Sequence, residues 1–172
     1  MLAGRAVMQE GTATRGAVSV RLLAVLVVAT ALGPLAMQIF LPALPAIQDG
    51  FGVDAATAQL TLSLSALSIA VATLFYGPLS DRLGRRPALL GGLVIYLAGS
   101  LLCGVATSIG WLIFGRIVQA AGGCAGIVLT RAIVRDLYER DEAASMLAYV
   151  TMAMVTAPIL APALGGVLTD HA

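Results

Sequence analysis

Apolar and polar positions alternate along this chain in long blocks, not residue by residue. Five apolar stretches, about 21–40, 57–77, 88–106, 111–130 and 143–168, are separated by short polar ones. Each is close to the roughly 20 residues that an α-helix needs to cross a hydrocarbon core about 30 Å thick. The pattern predicts an all-α integral membrane protein, a bundle of about five transmembrane helices. Residues 1–20 lack periodicity and are expected to form a cytoplasmic tail.

The connections are equally legible. Leu41-Pro42-Ala43-Leu44-Pro45 is expected to end the first helix, and the segment to Ala56 carries Asp49 and Asp54 but no cation. Gly77 to Pro87 is the one densely charged stretch between two apolar ones and predicts a short cytoplasmic turn. Thr107 to Gly110 is a minimal uncharged turn. Arg131 to Glu142 alternates in sign, as a solvated loop would, and Asp136 is expected to pair with Arg140 across one turn. In the second span Ser63, Ala66, Ala70, Thr73 and Gly77 make a stripe of small side chains that invites a neighbouring helix. Gly92, Gly99 and Cys103 do the same in the third, Gly122 and Gly126 in the fourth.

Charge placement supplies a test of orientation. With the N-terminus inside, Arg5, Arg15, Arg21, Arg82, Arg85, Arg86, Arg131, Arg135 and Arg140 all fall on the cytoplasmic side, and the outer loops hold no arginine. That obeys the positive-inside rule. Cleavage of the first apolar run as a signal peptide fits less well, because the run is long for a signal core and no small-x-small site follows it.

Composition narrows the chemistry. Across 172 residues the hydrophobic share is 59% and the charged share 11%, with a mean hydropathy of +0.96, well outside the range of soluble domains. All ten cationic side chains are arginine, so neither a phosphate-gripping P-loop lysine nor a Schiff-base lysine is present. The lone histidine, His171, offers nothing for a metal cluster or a Ser/His/Asp triad. Cys103 and Cys124 lie inside apolar spans and behave there as small hydrophobes. No enzyme, cofactor or metal site is expected, and the scattered arginines form no face for nucleic acid.

Arg116 is the exception to the charge pattern, because it lies within the fourth span. A membrane-buried arginine is costly and usually faces a polar cavity or a partner, although a long side chain can also snorkel to water. Gln119 is three residues on, on the same helical face, where it could share that cavity or join two helices. Gln38 is the only strongly polar side chain of the first span, and spacing leaves open whether it faces these two.

Several of these stretches resemble the major facilitator superfamily. Gly77 to Arg86 is similar to its loop signature between helices two and three: a glycine, then Asp81-Arg82, then Gly84-Arg85-Arg86. Arg116-Ile117-Val118-Gln119-Ala120-Ala121-Gly122-Gly123 resembles the arginine-centred fourth-helix motif of the drug/proton antiporters. Ala157 to Gly166, with Pro158, Pro162, Gly165 and Gly166, is similar to their fifth-helix motif. With Leu41 to Pro45 and Arg131 to Leu137, the resemblance is to the Bcr/CflA branch, the bicyclomycin and chloramphenicol efflux transporters, and it covers about Arg21 to the last residue.

The resemblance implies most of the N-terminal six-helix half of a twelve-helix transporter of the inner membrane, with the C-terminal half as missing partner. It implies efflux of small apolar drugs in exchange for protons, with Arg116 in proton coupling and the proline-glycine helix supplying a bend. Asp81 would hold a gate by pairing with loop arginines and capping a helix of the other half. Gln38 departs from the aspartate that many relatives carry there, and Ala157 and Ala161 from glycine. Two other outcomes are a non-transporting membrane fragment from a truncated reading frame and an oligomeric small exporter, the latter without the buried glutamate such proteins use.

Overall fold

The computed structural model describes the backbone of residues 20–169 and the side chains of residues 22–152 and 154–156. The chain folds into five helices: α1 (Val20–Phe51), α2 (Ala55–Leu83), α3 (Arg85–Gly104), α4 (Ile109–Leu137) and α5 (Arg140–Thr169). The expected all-α membrane bundle is what the sequence forms. The first four are long and apolar enough to cross a membrane. The expected tail, residues 1–19, lies outside the described residues.

The helices are longer than the apolar stretches that predict them. The 32 residues of α1 cover about 48 Å at 1.5 Å per residue, well beyond a 30 Å core. Leu41 to Pro45 was expected to stop this helix, yet it continues through Pro42 and Pro45 to Phe51. Both prolines are exposed on the helix surface. The stop comes at Gly52, whose φ of +62° lies in the left-handed region that favours glycine. Asp54 then caps α2: hydrogen bonding from the Thr57 side chain and from the Thr57 backbone N–H, which it accepts at 3.2 Å, holds its carboxyl below the usual range.

The two charged connections also contract. Gly77 to Pro87 is not an extended turn: α2 runs to Leu83, α3 starts at Arg85, and Gly84 alone, at φ +93°, makes the corner. Arg131 to Glu142 is helical except at Tyr138 and Glu139. The cap at Tyr138 separates Asp136 and Arg140 onto different helices, and Asp136 binds Arg85 instead, at 2.9 Å.

Helix α4 is the centre of the bundle, packed on α1, α2 and α3. Gly122 to Gly126 are all buried. A Cβ on Gly122 would run into the backbone of Tyr96 on α3, and one on Gly126 into the Ala29 carbonyl on α1. Gly99 meets the Gln119 backbone, and Gly92 meets Ala125, in the same way. These contacts bring backbones close enough for dispersion and polar contacts to hold helices together where lipid offers no hydrophobic drive. Thr30 Oγ1 adds a buried link, 2.9 Å from Thr130 Oγ1 and 3.2 Å from the Gly126 carbonyl.

The stripe on α2 behaves differently from its prediction. Ser63, Ala66, Ala70 and Thr73 are exposed, while Ala58, Thr61, Ser65, Tyr76 and Ser80 are buried. Small residues occur all around α2, so their spacing could not select the packed face.

Candidate functional site: an arginine-lined cavity and a charged corner

A cavity of about 270 Å³ opens between α1, α2, α3 and α4. Gln38, Arg116 and Gln119 all line it, so the three polar side chains anticipated from the sequence meet at one place. Gly33 and Pro34 of α1, Ile69 of α2 and Gly123 of α4 give it apolar walls.

Arg116 is 5% exposed and about 10 Å along α4 from its first residue. Its Nη1 donates to Gln119 Oε1 at 2.6 Å and to the Ala36 carbonyl at 3.4 Å. Its guanidinium carbon lies 4.4 Å from the centre of the Phe40 ring, a cation–π distance. The Nε has no partner among the described residues. Snorkelling is therefore not the arrangement: the side chain turns inward to a carbonyl, an amide and an aromatic face, all uncharged.

The polar chain continues into α3. Gln119 Nε2 donates to Ser100 Oγ at 2.8 Å, Ser100 Oγ donates to the Tyr96 carbonyl at 2.9 Å, and the Tyr96 hydroxyl donates to the Leu32 carbonyl of α1 at 3.3 Å. Gln119 thus does both things its position allowed: it faces the cavity and joins two helices. Tyr96, Ser100 and Phe40 were not singled out from the sequence. The i, i+4 spacing of Tyr96 and Ser100 in a sparsely polar span was the available signal for two of them.

A second cluster forms where α2, α3 and α4 meet. Arg85 binds Asp81 through Nη1 at 2.6 Å and Asp136 through Nε at 2.9 Å, and its Nη1 also donates to Ser80 Oγ. The hydrogen bond to Asp136 is the main reason its guanidinium holds its proton more tightly than usual. Gly84 supplies the corner that lets Asp81 and Arg85 meet across a break in the helix, while Arg82 and Arg86 are exposed. Gly77 accepts from Ser80 Oγ through its carbonyl at 2.9 Å. Side chains of Pro158, Pro162, Gly165 and Gly166 lie outside the described residues.

Residues 26–172 match the family model described as Major Facilitator Superfamily. The chain is 35% identical over 150 residues to multidrug resistance protein D of Escherichia coli strain K12, covering 87% of this chain and 38% of that protein. It is 38% identical over 138 residues to a chloramphenicol resistance protein of Pseudomonas aeruginosa, covering 80% and 33%. A bicyclomycin resistance protein homolog of Haemophilus influenzae is 32% identical over 135 residues, covering 78% and 34%. The chain spans about a third of the length of these curated relatives. With a family match over most of its residues and motifs in the corresponding order, the chain belongs to the major facilitator superfamily, and its resemblance is to the Bcr/CflA type.

Proposed function

We propose that this chain forms the N-terminal part of a proton-driven exporter of small, mostly apolar drugs, active when joined to a C-terminal half. The observation that carries this reading is Arg116, a buried cation with only neutral partners among the described residues, lining with Gln38 and Gln119 a cavity whose remaining walls are mostly apolar. A membrane protein keeps such a costly group where charge movement or ligand binding uses it. The names of the relatives, for multidrug, chloramphenicol and bicyclomycin resistance, support drugs as the cargo.

In this reading the cavity binds drug through its apolar walls and orients it through Arg116, Gln119 and Gln38. An arginine guanidinium is not a proton donor in the working range of pH in proteins generally, and a glutamine such as Gln38 cannot titrate. The exchanged proton is therefore carried by an acid outside this polar trio. The fixed charge of Arg116 acts on that acid through the low-dielectric interior, favouring its ionised form and so linking proton release to drug binding. Arg85, tied to Asp81 and Asp136, fixes the cytoplasmic ends of α2, α3 and α4 as one unit and leaves a gate there with defined geometry. The bend expected of Pro158, Pro162, Gly165 and Gly166 would let α5 close or open the cavity.

The experiment is drug accumulation in cells of an inner-membrane host expressing the complete transporter or its Arg116→Ala variant. Export lost in the variant, at equal amounts of membrane protein, supports the reading. Equal accumulation removes Arg116 from the mechanism.

A further inference from the structure

One face of α4 runs past two cavities. The first is the cavity of about 270 Å³ at Arg116; the second, of about 250 Å³, lies between α1, α4 and α5 toward the end where the arginine pattern predicts cytoplasm. Ile127 lines both. The stripe on α4 reads Arg116, Ala120, Gly123, Ile127, Arg131, Arg135, spaced by three or four residues and so on one face of the helix. Between the arginines at 116 and 131 its side chains are small except at Ile127. At 1.5 Å per residue Ile127 is about 16 Å from Arg116 and about 6 Å from Arg131 along the axis. On α1 the boundary falls at the same level, with Gly33 in the first cavity and Thr30 in the second. The backbones there are locked. A Cβ on Gly126 would strike the Ala29 carbonyl, and Thr30 Oγ1 is hydrogen-bonded to Thr130 and to the Gly126 carbonyl. The half-buried side chain of Ile127 is therefore what separates the two spaces along α4.

We propose that the two cavities are successive parts of one passage from the cytoplasm to Arg116, and that the size of the side chain at 127 sets which molecules pass. The proposal rests on the export reading and adds to it a size-selecting residue. The physical basis is steric. With α1 and α4 held backbone to backbone beside it, the opening cannot widen by separating the helices without breaking that seam, so its width depends on the atoms that residue 127 carries. A molecule moving from Arg131 toward Gly123 crosses the Cγ and Cδ atoms of Ile127, and truncation to alanine removes them and merges the two spaces. An indole in their place closes the way. The constriction is apolar, so a molecule that sheds its water easily crosses it more readily than a strongly hydrated ion. Val150 and Met154 of α5 form the far wall of the second cavity, where the flexible thioether can adapt to what passes.

The test is cysteine labelling in inside-out membrane vesicles from cells producing the complete transporter, with Met37→Cys as reporter in the Arg116 cavity and Thr151→Cys as reporter in the second. Cys103→Ala and Cys124→Ala remove the thiols of this chain, and labelling is read against the same protein without a reporter. The probe is sulfonatoethyl methanethiosulfonate, small and unable to cross lipid. Ile127→Ala should speed labelling at Met37→Cys about tenfold, Ile127→Trp should slow it about tenfold, and Ile127→Val should stay within about twofold of the unaltered residue. Thr151→Cys lies on the cytoplasmic side of the constriction and should label at one rate in every variant, which also reports that each variant is folded. A rate at Met37→Cys indifferent to residue 127 overturns the proposal. So does a parallel change at both reporters, or an unreactive Thr151→Cys. Labelling needs neither drug nor transport: size control at 127 in a transporter that exports nothing sinks the export reading alone. Export by a transporter whose labelling ignores residue 127 sinks the passage alone.

Discussion

Arg85 and Arg116 are the same side chain in opposite surroundings. Arg85 is partly exposed at a helix junction and holds two carboxylates, at 2.6 and 2.9 Å. Arg116 is 5% exposed and holds none among the described residues. At the junction, water and salt screen the pairs, so they add little to stability by themselves and serve to set where three helix ends meet. In the cavity there is little screening, and a lone cation shapes the potential felt by whatever enters. The first arginine has its partners built in; the second leaves room for one that arrives.

The largest change should come from attacking the packing that keeps the two settings apart. Gly122→Leu drives a side chain into the Tyr96 backbone and should lower stability by about 1–3 kcal/mol or prevent folding. Thermal aggregation of the detergent-solubilised protein measures it, with Gly91→Leu, where a Cβ meets nothing within 4 Å, as the unaffected control. If both variants melt alike, the α3–α4 seam is not what holds Arg116 in place.

Next in size is Arg116→Lys, which keeps the charge but not the planar fork that reaches Gln119 and Ala36 together. Export should fall by about tenfold, between the unaltered protein and Arg116→Ala; full activity would mean that charge alone suffices. Arg85→Ala should reduce export several-fold while leaving the melting temperature of the solubilised protein unchanged, because it frees helix ends without opening the core. A large fall in melting temperature would show that the corner is structural in a way its exposure does not suggest.

The response to pH should be smaller still. The Arg85 proton is held more tightly when folded, so its contribution is complete below its ordinary alkaline range and is lost only as pH rises through the higher folded value. Stability at the corner should therefore not follow Arg85 titration between pH 6 and 9, and should respond to salt instead. At Asp54 the sign reverses. Its lowered value means that the cap contributes above the normal carboxylate range and is lost as pH falls through the depressed one. Exchange of the Thr57 amide should accelerate only in that acidic window; acceleration near neutral pH would show that the cap does not act through the carboxylate.

Much of this was legible in the sequence, for identifiable reasons. Long apolar blocks predict membrane helices because backbone groups in lipid have to be satisfied internally, and α1 to α4 follow them. An arginine inside such a block was bound to stand out, and Gln119 three residues away was expected on its face. Helix ends were misplaced because charge was taken for loop: the residues around Asp81 and Asp136 are helical, positive φ at Gly52 and Gly84 ends α1 and α2, and α4 ends only at Tyr138, in extended backbone. The convergence of Gln38 with Arg116 required the crossing of α1 and α4. That crossing is set by Gly126 against Ala29 and by Thr30 against Thr130, far apart in the chain. The packed face of α2 stayed hidden because its small residues repeat on every side.

The most direct measurement sets the two arginines against each other in one assay. Cells producing the complete transporter with Arg116→Gln or with Arg85→Gln are loaded with radiolabelled chloramphenicol, and accumulation is followed at matched membrane levels. The account predicts that Arg116→Gln accumulates drug like cells without the transporter, while Arg85→Gln retains part of the export. Export intact in Arg116→Gln and abolished in Arg85→Gln would contradict it, placing the decisive arginine at the corner instead of in the cavity.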